Sequence, residues 1–445
     1  MDPKFVYRAE HIGMCLFFGL ASTAPLAGSD ALILTQARGL PELGSWACSA
    51  PESELVWRSS ETTSRGLSAG FVAACEPAVD FKGRTLYFSG RRTLDETFRI
   101  WQLDLVSNEI SPLTREGSDA RHPLVLPSGG VAYLRDGDVF RHQVDLGADE
   151  QLTFTRGQLR SAAMLADGRL LLLEGTPGGG RLFTALPDGT WSTLWPGLDG
   201  IAVRDFAIMD GERLLILADN SELLLVSVMD PYAPIERLPV DIEGSVERLA
   251  RGTDASALLV KRFEGRLDSG ANEVISLHLN PEPAVLTLTP QLGRAVLEAT
   301  SAEPASLPAS LPSIVKPEMT TGYLVVLDVG RSDDPGLQGL TRDAVAEVRV
   351  LEFEDDRERV LASVDPAEDG SVYLEVPADT PLALQLIDGQ GEIVARTHTS
   401  IWVRPNERRG CLGCHVSPAY APPNVRPQAI LREPQRALQS SEVSP

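Results

Sequence analysis

Beyond its first residues the chain has no run of about 18 apolar residues, so no internal segment can cross a membrane as a helix. Positive charge is also scarce. There are 40 Lys and Arg against 62 Asp and Glu, a net charge of −22. A field of that sign repels nucleic acid and anionic lipid, which excludes both as partners. It is compatible with solubility and with steering a basic redox partner protein. No phosphate-cradling loop, Ser/His/Asp set or carboxylate pair stands out against so many acidic residues. What the chain does have is ordinary: 43 % hydrophobic residues, enough for a large core, and 445 residues, a length for two or three domains.

The N-terminus carries the one export signal. Lys4, Arg8 and His11 precede "IGMCLFFGLASTAPLAG", a short apolar stretch followed by small residues, with Ser22-Thr23-Ala24 as the cleavage region. This reads as a secretory signal over 1–24 and predicts a periplasmic or secreted protein. Of five cysteines, Cys15 leaves with the signal. Cys411 and Cys414 belong to a motif considered below. Cys48 and Cys75 are left as an even pair in an oxidising compartment, which permits a disulfide between them.

From residue 70 to 290 one plan recurs. "EPAVDFKGRTLYFSG", "RHPLVLPSGGVAYLRDG", "RSAAMLADGRLLLLEG" and "RDFAIMDGERLLILADN" each run strand, glycine turn, strand, and "ERLARGTDASALLVKRFEG" is a degraded fifth copy. The turn glycines Gly83, Gly130, Gly168 and Gly211 recur at spacings of 47, 38 and 43 residues, close to the repeat of a four-stranded propeller blade. "RIWQLDL…PLT" resembles TolB-type repeats. "ALILTQ" and "SELVWRSS", within residues 30–70, supply a further blade or its closing strands, for five to seven blades in all.

"TSAEPASLPASLPSIVKPE" is a Pro, Ala and Ser-rich linker. After it, "GYLVVLDV", "VAEVRVLEF", "RVLASV", "SVYLEVP", "LALQLID" and "EIVART", separated by turn signals, predict a small β-sandwich. "HTSIWVRP" reads as a strand that delivers the chain into the motif. The expected fold is therefore all-β. It comprises a propeller (30–298), a linker (299–318), a sandwich (319–404), a haem-attachment segment (405–432) and a disordered tail (433–445).

The motif is Cys411-Leu-Gly-Cys414-His415. Two thiols at this spacing add across the vinyl groups of haem, and the adjacent imidazole is placed to bind iron. Zinc would want four ligands, and no second Cys/His pair lies nearby. A thioredoxin-type pair sits at a helix start, whereas Pro418, Pro422 and Pro423 forbid a regular helix. One covalently bound haem c is the expectation. No Met or His follows His415, so the other face of the iron falls to His398, Met319, Tyr420 or water. Six arginines and two glutamates between Arg404 and Arg436 make a basic island in an acidic chain. Arg408 or Arg409 is a candidate to hold a haem propionate. Trp402 belongs either to the haem pocket wall or to the sandwich core.

The segments "GYLVVLDVGRSDDPGL", "DGSVYLEVPADTPLALQLID" and "WVRPNERRGCLGCHVSPAYAPPNVRPQAI" resemble proteins related to the hydrazine synthase alpha subunit, chiefly its middle region. The resemblance implies a secreted c-type haem protein with haem on Cys411 and Cys414, and with His415 at the motif's histidine position. In that family a tyrosine just beyond the histidine can bind iron instead, for which Tyr420 is the nearby candidate. Only one haem motif is present, so the hydrazine-forming activity is not carried over. The expected function is electron transfer as a single-haem c-type cytochrome, or as a haem-bearing subunit of a redox complex. The alternatives are an oxidoreductase or small-ligand-binding protein with an open haem iron, and a propeller scaffold for protein binding.

Overall fold

The computed structural model describes residues 31–39, 47–50, 52–59, 64–143, 147–176, 179–198, 200–240, 242–252, 256–262, 272–279, 284–288, 294–337, 339–354, 357–397, 400–414, 416 and 424–438. The signal region lies outside them. Almost all regular structure is strand, and among the described residues no helix is long and apolar enough to cross a membrane.

The first body is a propeller of six blades, counted among the described residues. Blade 2 shows the plan: Ala73–Val79, Thr85–Arg91, Arg99–Asp104 and Ile110–Pro112 form an antiparallel meander from the axis outward. Blades 3 to 6 repeat it, with innermost strands Arg121–Val125, Leu159–Met164, Val203–Ile208 and Ser245–Arg251. Blade 1 is a composite. Its innermost strand, Ala295–Ser301, comes from the end of the propeller and pairs antiparallel with Leu32–Ala37 from the beginning. This pairing joins the two ends of the ring, so its closure depends on a register set by residues more than 250 positions apart.

Each blade buries apolar side chains on both faces, as in sheets covered by neighbours on either side. Separate clusters fill successive gaps: Leu86 and Trp101 with Ile33 and Leu55, Leu134 and Leu152 with Leu172 and Phe183, Leu173 and Leu182 with Phe206 and Ile216, and Leu215 and Leu217 with Leu259 and Ile275. Cys48 and Cys75 are bonded, with Cα atoms 5.5 Å apart. The bond pins the short 3-10 turn Ala47–Ser49 to the innermost strand of blade 2.

The linker does not swing free. It crosses the face of the propeller where each innermost strand turns into the next. The Ala305 amide donates to the Phe81 carbonyl (3.0 Å) and the Ala309 amide to that of Ala166 (2.9 Å). Gly168 shows how closely this strap packs, since a Cβ there would lie 2.2 Å from the Ala309 carbonyl oxygen. Its φ of +89° also disfavours any residue with a side chain.

The second body is a sandwich of two four-stranded sheets. One is ordered Arg408–Cys411, Thr321–Val326, Val372–Pro377, Gln435–Arg436, and the other Arg357–Val364, Glu347–Glu354, Leu382–Ile387, Ile393–Arg396. Alternating residues such as Leu324, Val326, Val348, Val350, Leu374 and Val376 meet in its core. Two expectations need correction. Within "HTSIWVRP" the described residues 400–405 form no strand: Ile401 makes an isolated bridge to Leu382, and the chain then leaves the sheet. The tail is not wholly disordered either, since Gln435–Arg436 pairs parallel with Leu374 and Glu375.

Candidate functional site

The motif sits at a sheet edge. Strand Arg408–Cys411 adds parallel to Thr321–Val326, setting Cys411 opposite Val326. The Leu327 amide then donates to the Cys411 carbonyl and the Cys414 amide to that of Arg331, both at 2.9 Å. These bonds fold the Cys411–Cys414 turn back over the loop after Val326. Gly413 is needed for that approach, because a Cβ would fall 2.4 Å from the Arg331 carbonyl oxygen. The prolines downstream had excluded a helix; the motif begins instead from an edge strand.

Both thiols are free and half-buried, and both pack against the apolar sandwich core. Burial pushes the Cys411 thiol up from its ordinary value, with Arg409 opposing. Burial, with Asp334 adding to it, pushes Cys414 up to about 11. Neither thiol is poised as a thiolate, which disfavours thiol–disulfide exchange chemistry. Two cysteines at this spacing at a sheet edge, with a glycine between them, fit the demands of thioether attachment to haem. His398, His415 and Tyr420 lie outside the described residues.

The arginine-rich block before the motif has a different employment from the one expected. Arg404 is 2 % exposed and reaches into the propeller. One Nη donates to the Gln151 carbonyl (2.6 Å) and lies 3.0 Å from Asp379, while the other donates to Glu150 (2.6 Å). Glu407 is fully buried. Its two oxygens accept from the backbone amides of Trp191 (2.8 Å) and Arg404 (2.7 Å). Burial drives its carboxyl above the usual range, and those two amides oppose the shift.

Arg409 donates to the carbonyls of Trp402 and Ser192, so it is committed to this junction rather than left for a propionate. Arg408 is exposed, its guanidinium 5.4 Å from the ring centre of Tyr323. Trp402 does not belong to the sandwich core. Its indole packs edge-on to Phe183 among side chains of blades 3 and 4 and donates to the Gly189 carbonyl (2.9 Å). Trp402 to Arg409 is therefore a latch that keys the motif strand to the propeller. A sequence gives no partner for a buried arginine, so the block read as ligand-binding.

Residues 336–416 match the family model of the hydrazine synthase alpha subunit middle domain. The matched segment begins in the loop before the second sheet of the sandwich and ends just past the Cys-x-x-Cys-His motif. Among solved structures the chain is similar to Kuenenia stuttgartiensis hydrazine synthase, with a TM-score of 0.76 and 13 % identity over 90 % of this chain and 71 % of that one. At that identity the likeness establishes a shared fold. It is also similar to TolB from Acinetobacter baumannii, with a TM-score of 0.48 and 11 % identity over 62 % of this chain and 67 % of that one. Among curated proteins none matches.

Sequence reading missed a second polar cluster, in the propeller lumen. It comprises Glu76, His122, Ser161, Asp205, Arg248 and Glu298. A signal was present: every repeat copy quoted above carries one or two polar or charged residues in its first two positions, and these line the axis.

Proposed function

We propose that this protein is an exported single-haem c-type cytochrome that works as the haem-bearing subunit of a redox complex. The observation that carries the reading is the pair Cys411 and Cys414, bonded to no other cysteine, one ending an edge strand and the other in the turn after it, inside the segment that matches the hydrazine synthase middle domain. Cys411 and Cys414 would hold the group by two thioethers, and His415 would approach its iron. Bound haem would supply a one-electron couple. The protein's own part is positioning. The parallel pairing with Thr321–Val326 fixes the first thiol, the Arg331 carbonyl fixes the second, and the latch fixes both relative to the propeller. Arg408, exposed beside the motif, is the remaining candidate for a propionate.

A second reading has support in sequence, since no methionine or histidine follows His415. An iron with one open position would bind a small ligand instead of only passing electrons. A pyridine haemochrome spectrum of natively exported protein tests the first claim, because thioether-linked haem gives a c-type spectrum. The Soret and charge-transfer bands then separate the two readings. A low-spin spectrum unchanged by carbon monoxide fits electron transfer, and a high-spin one that shifts fits ligand binding.

A further inference from the structure

Away from the axis, the rim of the propeller holds a pocket of about 250 Å³ between blades 4 and 5. Blade 4 supplies Trp191, Leu194, Trp195 and Pro196 from its outermost strand, Thr193–Leu194, and the residues flanking it. Blade 5 supplies Pro231 and Tyr232 from the turn after its third strand, Leu223–Ser227. Arg169 also lines the pocket, and it belongs to the turn whose Ala166 carbonyl holds the strap.

Two features give this pocket the character of a binding site. Its lip carries aromatic surface in contact with water, since Trp191 and Tyr232 are 53 % and 52 % exposed. Its wall carries a donor without an acceptor. Trp195 is 4 % exposed, and among the described residues its buried indole N–H meets no hydrogen-bond partner. A buried donor left unsatisfied costs about 1–3 kcal/mol, which a ligand oxygen brought to it would recover. The backbone beneath is already fixed. The Trp191 amide donates to Glu407 (2.8 Å), the Ser192 carbonyl accepts from Arg409, and the Trp195 amide donates to the Leu182 carbonyl (2.8 Å). Little ordering is left for a ligand to impose.

Exposed aromatic rings beside an indole donor suit an extended proline-rich chain. In the polyproline II form such a chain makes no internal hydrogen bonds, so its carbonyls are open to a donor while its rings lie against aromatic faces. The propeller already holds a segment of this composition next to the pocket. The strap forms neither helix nor strand as it crosses, and Ser313 and Ile314 both donate to Asp188, three residues before Trp191 (2.8 and 3.2 Å). The pocket thus continues an interface that the chain makes with its own proline-rich stretch. Other ligand classes fit less well. No Asp, Glu, Asn or Gln lines the pocket, and Asp167 holds the Arg169 guanidinium (2.8 Å), so neither an ion nor a saccharide finds the planar polar partners it requires. The volume is also below the roughly 300–1,000 Å³ of sites for drug-sized molecules.

We propose that this pocket receives a proline-rich segment of a partner protein, laid on the propeller rim in the polyproline II form. Proline rings pack on Trp191 and Tyr232, and a peptide carbonyl accepts from the Trp195 indole. The site makes no use of haem.

Isothermal titration of the full chain with an acetylated, amidated hexaproline peptide tests this, beside a Gly-Ser hexapeptide and maltotriose. Saturable binding is expected for hexaproline alone. Trp191→Ala and Tyr232→Ala, both at exposed positions, should weaken it about tenfold each. Trp195→Phe keeps a ring and removes only the unpaired donor. It should weaken binding about fivefold without lowering the melting temperature, whereas a purely structural Trp195 would give the reverse. If that variant fails to fold, the two exposed positions decide. Absence of hexaproline binding, equal binding of the Gly-Ser peptide, unchanged affinity in Trp191→Ala, or a preference for maltotriose would overturn the proposal. Protein with and without haem should bind alike, so the result is separable from the cytochrome reading.

Discussion

Arg404 carries a full positive charge at 2 % exposure, and its partners Glu150 and Asp379 come from different bodies. Truncating it to leucine leaves both carboxylates without their counter-charge. Because each retains some contact with water, the cost should be about 2–3 kcal/mol, below that of breaking a fully buried pair. Lysine at 404 restores charge without the planar fork and should recover less than half of the loss. Urea unfolding of the two variants measures both. Gly413 offers a local contrast with Gly410. Alanine at 413 meets the Arg331 carbonyl and should cost about 1–3 kcal/mol and, on the proposed haem attachment, lower the fraction of chains that carry the group. Alanine at 410 meets nothing within 4 Å and should be neutral. Equal effects in thermal melts of the two variants would remove Gly413 from the account.

Among elements, the disulfide is the simplest to test. Cys48 and Cys75 enclose 27 positions, so breaking the bond should cost about 3 kcal/mol by the loop-entropy account. Cys75→Ala measured against the parent in guanidinium checks it. That bond also anchors the residue just before Glu76, so the variant should loosen the lumen wall. The blades were legible because each is local: strand, glycine turn and strand lie within twenty residues, and the apolar pattern needs no distant partner. The closing strand pair was legible only as a possibility, since its register joins opposite ends of the ring. "HTSIWVRP" misled for the opposite reason. Its alternation suits a strand, but Trp402 finds a deeper site between blades 3 and 4. Gln435–Arg436 likewise gains a partner that its own composition does not announce.

For the whole molecule, buried acid groups set the response to pH. Burial raises the carboxyls of Asp138, Glu174, Asp205, Glu298, Asp379 and Glu407, whereas His122 and Ser89 hold Glu76 below its usual value against its own burial. A carboxyl raised in the folded state contributes stability that is fully present below its unfolded value and is lost as pH rises through the folded one. The net charge of −22 adds self-repulsion in the same direction. Melting temperature should therefore fall as pH rises above the ordinary carboxylate range. A flat or rising profile would contradict these assignments.

The haem reading draws on the same scale, because the latch joins the motif strand to a propeller that shares its fold with hydrazine synthase. The most direct test is the intact mass of the mature protein after native export, with peptide mapping across Cys411 and Cys414. The account predicts the added mass of one haem, retained after acid–acetone extraction and mapped to those two residues. Two thiols that alkylate freely, on a chain of unmodified mass, would contradict it.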